Sequence, residues 1–396
     1  MKGGLALLLT LFIQTASTAA VLAPPAIAPA LLASLGLNNQ AIGVYISLVY
    51  LAAAVAGVYA AAVIRRVGPI RASQLALLLS VGGLLLMATF NPWAATLGAF
   101  LVGCGYGPIT PASSDILVRT TSPERYSLVF ALKQCGVPLG GALAGLLAPP
   151  VVLLYGGRAA LLAIALLCLI SLAAAQWLRG QLDANRDART PLPTLAAFLV
   201  PIRFVLQQPT LRMLCICSFV FSTVQLCVNS YLVTYLNTSL GWSLVAAGIG
   251  FSVAQAAGMA GRVGWSIAAD RSGKSIETLF VLAVIMALTC GLMVLPDSST
   301  SHSFVMILLI SFGVTAIGWN GVYLALVARL APTGQAASAT AGCMFFTYLG
   351  VVFGPPLFGA FARWTDDLGL AYAMLIFPLA VVLGVMGKHI RTRARA

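Results

Sequence analysis

Long, unbroken apolar segments dominate this chain and restrict the folds that it can adopt. Twelve such segments run near residues 5–33, 41–64, 71–91, 94–118, 126–154, 158–179, 210–236, 243–268, 276–295, 303–329, 335–362 and 369–388. An α-helix needs about 20 apolar residues to cross a bilayer, whereas a β-barrel shows short segments of alternating polarity. We therefore predict an all-α membrane protein with twelve transmembrane helices, called spans 1 to 12 below.

The distribution of basic residues predicts how these spans are oriented. Only 8% of the 396 residues are charged, whereas soluble domains carry about 25%. The net charge of +13 would indicate nucleic-acid binding in a soluble protein, but here eighteen of the 22 Lys and Arg fall between spans on one side. The positive-inside rule makes that side cytoplasmic. We predict a multi-pass protein of the cytoplasmic (inner) membrane with both termini in the cytoplasm and no nucleic-acid partner.

The first apolar segment has a second interpretation. Lys2, the apolar run and the small residues near Ala19 resemble a secretory signal peptide. Cleavage would leave an odd number of spans and would place the arginine-rich C-terminal tail outside. We therefore favour an uncleaved first span.

The two halves of the chain resemble each other. Residues 34–36 match residues 239–241 at an offset of 205, and the same offset aligns 65–68 with 270–273. Such half-length similarity is typical of transporters built from two related bundles. We predict two pseudo-symmetric six-helix bundles, at 1–180 and 210–396, joined by a cytoplasmic linker at 181–209. The second bundle ends in a basic cytoplasmic tail.

The turn after span 8 indicates a family. Residues 269–274 (ADRSGK) follow the pattern D-R-x-G-[RK], and with the two-bundle organisation the whole chain resembles the major facilitator superfamily. Residues 132–141 (LKQCGVPLGG) and 318–332 (GWNGVYLALVARLAP) are similar to a bacterial subgroup without an agreed substrate. The resemblance implies transport by alternating access. Spans 1, 4, 7 and 10 would line a cavity, and spans 5 and 8 would face each other.

Arg262 is the first candidate for binding a substrate. It lies within an apolar run eight residues before Asp270, so about 12 Å along the helix from the charged turn. An arginine at that depth is costly, and its guanidinium group can pair with a carboxylate through two hydrogen bonds. In the similar proton-coupled monocarboxylate transporters, an arginine at this place on span 8 binds the carboxylate. The alternative is a structural arginine held by backbone carbonyls or helix ends.

Lys133 is the second candidate. It lies nine residues after Glu124, about 13 Å into span 5. No Asp or Glu lies at comparable depth in any predicted span, so a positive centre would suit an anionic ligand. The alternative is that Lys133 pairs with Asp115 or joins an interhelical network.

Neutral polar and aromatic residues on the predicted cavity spans could complete a site, although each could instead make an interhelical hydrogen bond. They are Gln14, Tyr106, Gln225, Asn229, Trp319, Asn320 and Tyr348.

A further set of charged residues and one glycine would control the cytoplasmic gate. These are Asp270, Arg271, Gly273, Arg65, Arg66 and Arg329. Asp270 ends its own helix, where the helix dipole disfavours an acid, so we expect a partner: Arg271, Arg329 or a neighbouring helix N-terminus. In the first half Arg65 stands where the family has an acid, so that contact must differ.

These features favour a secondary active transporter for a small organic anion, carboxylate-like in chemistry. The alternative is a drug or metabolite exporter of the same superfamily. An enzyme would need a nucleophile–base pair or metal ligands in the membrane, but His302 and His389 lie outside the predicted spans and the eight cysteines form no CxxC motif. A channel would favour a symmetric oligomer. We expect no cofactor, no metal and a monomer whose partners are the bilayer, the substrate and a coupled proton or counter-ion.

Overall fold

The computed structural model describes residues 2–38, 40–121, 126–183, 195–332 and 336–395, which form helices and turns without a strand. Within these ranges, nine helical stretches are long and apolar enough to cross a membrane, and a shorter apolar one covers Ala41–Gly57. The all-α fold class is therefore confirmed.

The helices follow the twelve predicted spans. The first six comprise Lys2–Ala26 with Ala28–Ser34 (span 1), Ala41–Val67 (span 2), Pro69–Met87 (span 3), Pro92–Tyr106 with Ile109–Thr120 (span 4), and Tyr126–Gln134 with Gly136–Leu182 (spans 5 and 6). The last six comprise Pro209–Thr234 with the π-helical Tyr235–Ser239 (span 7), Leu244–Ser272 (span 8), Ser275–Leu292 (span 9), His302–Phe312 with the π-helical Gly313–Ile317 and Asn320–Leu330 (span 10), Ala336–Thr365 (span 11), and Leu368–Met374 with Ile376–Arg395 (span 12).

Two breaks in the helices of the first half have local causes. Gly156 adopts φ +83°, a conformation that favours glycine, and it separates span 5 from span 6 within the stretch Gly136–Leu182. Span 4 breaks at Gly107 and Pro108, where the proline removes a backbone donor. The polar side chains just after this second break belong to the candidate site.

The chain divides into two compact units, Met1–Thr194 and Leu195–Ala396. In the first unit span 1 packs against spans 5 and 6, and in the second unit span 7 packs against span 11. Glycines permit both contacts. A Cβ atom on Gly140 would lie 2.4 Å from the Thr15 carbonyl oxygen, and one on Gly350 would lie 2.1 Å from the Phe219 carbonyl oxygen. The two halves therefore share the same close helix approach.

Part of the predicted linker is helical. Leu195–Gln207 forms a helix, the linker helix, that packs against span 11, where a Cβ atom on Gly342 would meet the Pro201 carbonyl oxygen at 2.3 Å. It ends at Gln207, and the extended backbone of Gln208 leads to Pro209 at the start of span 7. Residues 184–194 of the predicted linker lie outside the described residues, and the bundle boundaries given above stay a prediction.

Candidate functional site

A hydrogen-bonded polar cluster joins three helices of the first unit. Lys133 on span 5 is 1% exposed, and its Nζ donates to Thr110 Oγ1 at 3.2 Å. Thr110 on span 4 donates in turn to Gln14 Oε1 at 3.2 Å, and Gln14 Nε2 donates to Thr18 Oγ1 at 3.2 Å on span 1. Lys133 therefore belongs to an interhelical hydrogen-bond network, the alternative that the sequence left open, and its role in anion binding stays a proposal.

The backbone explains why these side chains meet. Thr110 follows directly on the break of span 4 at Gly107 and Pro108. Span 5 comes close to span 1 because Gly136 has no side chain; a Cβ atom there would lie 2.9 Å from Gln14 Cβ. Helix packing through small residues thus brings Gln14 and Lys133 into one cluster.

A second polar cluster joins spans 7, 8 and 10 in the other unit. Gln225 Oε1 accepts hydrogen bonds from Trp319 Nε1 at 3.0 Å and from Asn320 Nδ2 at 3.2 Å. One turn along span 7, Asn229 Oδ1 accepts from Gln255 Nε2 at 3.0 Å. Four of these five residues are buried, and Asn320 is half-buried. This second cluster therefore contains four of the residues predicted for the site, Gln225, Asn229, Trp319 and Asn320.

Both clusters contain the same kind of hydrogen bond between equivalent spans of the two halves. Gln14 on span 1 bonds to Thr110 on span 4, and Gln225 on span 7 bonds to Asn320 on span 10. The two glutamines are 211 residues apart and their partners are 210 residues apart. The internal similarity of the halves therefore extends to their polar side chains.

Arg262 is held by the backbone of span 10. It is 8% exposed, and its Nε donates to the Ile317 carbonyl oxygen at 3.1 Å. Trp265 Nε1 donates to the Val314 carbonyl oxygen at 2.8 Å in the same π-helical turn. These contacts support the structural alternative for Arg262, so its role in substrate binding stays a proposal.

Glycines bring span 8 against this π-helical turn. A Cβ atom on Gly261 would lie 2.4 Å from the Val314 carbonyl oxygen, and one on Gly258 would lie 2.4 Å from Ile317 Cγ2. A Cβ atom on Gly313 would in turn lie 2.2 Å from the Ala254 carbonyl oxygen. The close approach places the Arg262 side chain next to the carbonyl that it binds.

The remaining predicted site residues lie on the expected spans. Tyr106, one turn before Thr110, packs edge to face on Tyr50 with the ring centres 5.7 Å apart. Tyr348 is half-buried on span 11. Gln255 was not predicted for the site, although it precedes Arg262 by seven residues and so lies on a similar face of span 8.

The charged turn of the second half contains an ion pair. Arg329 at the end of span 10 pairs with Asp270 at the end of span 8, and both side chains are exposed. Gly273 ends span 8 in the left-handed conformation with φ +66°. Arg329 is thus the partner of Asp270 among the three that the sequence left open, and the gating role stays a prediction.

In the first half, acids at positions other than the counterpart of Asp270 make the polar contacts at the ends of the spans. Arg65 is exposed and forms no ion pair within the part of the chain that the structure describes, whereas Arg119 pairs with Asp115 at 2.5 Å and donates to the Leu182 carbonyl oxygen at 3.1 Å. Asp183, at the end of span 6, accepts from the backbone N–H groups of Ile70 at 2.8 Å and Arg71 at 3.1 Å. Asp183 therefore caps span 3, a role that the sequence did not reveal.

In the ranges that the structure describes, no group of three or more His, Cys, Asp and Glu could hold a metal ion. The eight cysteines are free thiols, and six of them are buried.

The Major Facilitator Superfamily model matches residues 7–355. The chain belongs to the major facilitator superfamily. It is therefore a multi-pass member of a family of transporters. Two uncharacterised MFS-type transporters from two strains of Mycobacterium tuberculosis are 27% and 26% identical to it over 301 residues. Each match covers 75% of this chain and 66% of the relative, so the chain spans just under two thirds of the length of these relatives.

Solved structures of this superfamily share the fold. The nucleoside transporter NupG has a TM-score of 0.78 and 15% identity, covering 96% of this chain and 99% of that chain. A POT family transporter in complex with a thioalcohol-conjugated peptide has a TM-score of 0.79 and 13% identity over 98% and 96% of the two chains. A bacterial homologue of the human lysosomal transporter Spinster has a TM-score of 0.76 and 14% identity, over 98% and 96%. At these identities the likeness concerns the fold alone.

Proposed function

We propose that this major facilitator carries a small, carboxylate-like organic anion across the cytoplasmic membrane by alternating access. The observation that carries the proposal is Lys133, a lysine 1% exposed on a membrane span whose Nζ bonds to the neutral Thr110 hydroxyl. Ionisable residues within membrane spans are costly and are typical of substrate or ion pathways. A buried cation on a membrane span favours an anionic ligand.

The positions of the acids support the same ligand class. Asp115, the acid of predicted span 4, pairs with Arg119, and Asp270 pairs with Arg329. All nine acids of the sequence lie outside the middle thirds of the predicted spans, so a cationic drug would find no deep carboxylate. This distribution disfavours an exporter of cationic drugs, the alternative from sequence analysis.

The two polar clusters have different roles in this proposal. Lys133 supplies the positive charge, with Thr110 and Gln14 orienting it. In the second half Gln225 and Asn320 are the neutral hydrogen-bonding candidates for binding a solute. Arg262 contributes positive potential, and its contact with Ile317 makes it second to Lys133 as the group that touches the anion.

We further propose a monomer with both termini in the cytoplasm. Lys and Arg concentrate at one end of the spans, and among the described residues those ends carry the ion pairs Arg119–Asp115, Arg179–Asp183 and Arg329–Asp270. The two-bundle chain makes a complete carrier by itself. No deep acid is available to carry a proton, so anion exchange or uniport is favoured over proton coupling by an Asp or Glu.

The test is uptake into proteoliposomes of three labelled carboxylates, lactate, succinate and benzoate, with and without a pH gradient. Saturable uptake of at least one is expected, and Lys133→Gln should abolish it while Arg203→Gln, which removes an exposed charge of the linker helix, should not. Uptake that is equal in Lys133→Gln and the parent would contradict the anion-binding role. Transport of neutral or cationic drugs alone would favour the exporter.

A further inference from the structure

A groove between spans 9 and 12 has no role in the transport proposal. It has a volume of about 570 Å³ and lies between Phe280 on span 9 and Leu383, Gly384, Gly387, Lys388 and Arg391 on span 12. Residues 384, 387, 388 and 391 follow helical spacing and so share one face of span 12. The groove therefore runs along the last turns of span 12.

Two glycines keep the groove open. A Cβ atom on Gly384 would meet nothing within 4 Å, and one on Gly387 would lie 3.7 Å from the Phe280 ring. Any larger residue at these positions would extend into the space between the helices. The open volume is thus a consequence of the sequence.

The groove changes from apolar to cationic along its length. Phe280 and Leu383 line the part towards the membrane interior, whereas Lys388 and Arg391 are exposed at the helix end. The eight residues from Gly384 to Arg391 cover about 10 Å along the helix, which exceeds the headgroup region of one leaflet, about 5–8 Å deep, and so reaches the start of the hydrocarbon core. A ligand for this groove needs an anionic end and an apolar end.

The two cations are available for such a ligand. Among the residues that the structure describes, Lys388 and Arg391 form no ion pair, whereas Arg119, Arg179 and Arg329 at the same ends of the spans each pair with an aspartate. The surface beside the groove is apolar: Val281 is 44% exposed and Val381 is 57% exposed. In a transporter of this fold, that surface is in contact with lipid.

We propose that this groove binds an anionic phospholipid, with the phosphate at Lys388 and Arg391 and the start of an acyl chain against Phe280 and Leu383. Basic pockets between membrane helices commonly hold acidic headgroups, and each Lys or Arg near the surface adds to the attraction. The proposal is independent of the transported solute, because every residue in it lies outside the two polar clusters.

The experiment measures lipid binding to the delipidated, purified full chain by native mass spectrometry. The probes are dioleoyl phosphatidylglycerol and dioleoyl phosphatidylcholine. Lys388→Gln combined with Arg391→Gln should weaken phosphatidylglycerol binding about tenfold to thirtyfold, the change expected when the binding contributions of two surface cations are lost together. Phosphatidylcholine binding should not change. The matched control, Arg203→Gln with Arg212→Gln, removes the same charge elsewhere and should have little effect.

A second variant tests the groove apart from its charge. Gly384→Leu fills the groove but retains both cations, and it should also weaken phosphatidylglycerol binding. The proposal is overturned if the groove and control variants lose the same affinity, since that would indicate diffuse surface charge. It is also overturned if millimolar inorganic phosphate displaces phosphatidylglycerol, because the site would then bind a soluble anion.

Discussion

Replacing Asp183 tests the structural account of the first half. This carboxylate is 8% exposed and accepts hydrogen bonds of 2.8 and 3.1 Å from the first two N–H groups of span 3, since Pro69 has none. Arg179 lies 3.9 Å from it. Asp183 therefore fixes the end of span 6 to the start of span 3 and places negative charge at a helix N-terminus.

The size of the effect follows from these contacts. A lost helix cap costs about 0.5–2 kcal/mol, and each buried N–H left without an acceptor costs about 1–3 kcal/mol. We expect Asp183→Ala to lower the free energy of unfolding by about 2–4 kcal/mol, because water can reach part of the site. Asp183→Asn keeps one acceptor oxygen and should lower it by about 1–2 kcal/mol.

Denaturant unfolding of the purified protein measures both variants, with Asp115→Ala as the matched control. Asp115 pairs with Arg119 at the same end of the bundle but is partly exposed, so its loss should cost less than about 1 kcal/mol. Equal destabilisation by Asp183→Ala and Asp115→Ala would refute the reasoning. Gly68→Ala should resemble Asp183→Ala, because its Cβ atom would lie 2.3 Å from Asp183 Cγ and its φ is +94°.

Three further predictions concern packing, gating and topology. Gly261→Ala should lower folded yield and transport sharply, since its Cβ atom would lie 2.4 Å from the Val314 carbonyl oxygen. The control Gly264→Ala, whose Cβ atom would meet nothing within 4 Å, should be neutral or slightly stabilising, and equal folded yields of the two variants would count against the tight contact. Asp270→Asn weakens the ion pair with Arg329 and should reduce transport more than substrate binding. It should also change the accessibility of introduced cysteines from the cytoplasm, and unchanged accessibility would argue against a gate. Reporter fusions at Ala396 should show a cytoplasmic C-terminus; an external reporter would overturn the proposed topology.

The spans were predictable from sequence because every helix that crosses a bilayer must be apolar and about 20 residues long. The interruptions were harder to predict. The π-helical turn Gly313–Ile317 depends on Gly258 and Gly261 of another helix, which is a tertiary contact. The linker helix Leu195–Gln207 was also missed, since Pro201 lies inside it and its apolar residues pack on span 11.

The sequence predicted which residues belong to the candidate site better than it predicted the contacts between them. Buried polar residues such as Gln225 and Asn229 are visible in an apolar sequence, and their spacing of four places them on one helix face. The partners could not be read from spacing, because they come from distant spans: Gln255 bonds to Asn229, and Asp183 caps span 3. Arg262 ranks first in the sequence on its depth, its position before Asp270 and its guanidinium chemistry, whereas its contact with the Ile317 carbonyl oxygen favours Lys133.

Substrate affinity of the purified protein tests the central claim, that a buried lysine binds the anion, most directly. The ligand is whichever carboxylate saturates uptake, and the variants are Lys133→Gln and Lys133→Arg, normalised to the folded fraction. We expect Lys133→Gln to weaken binding by on the order of 2–5 kcal/mol, the cost of removing one partner from a desolvated charge pair, and Lys133→Arg to retain part of the affinity. Unchanged affinity in well-folded Lys133→Gln would contradict the claim.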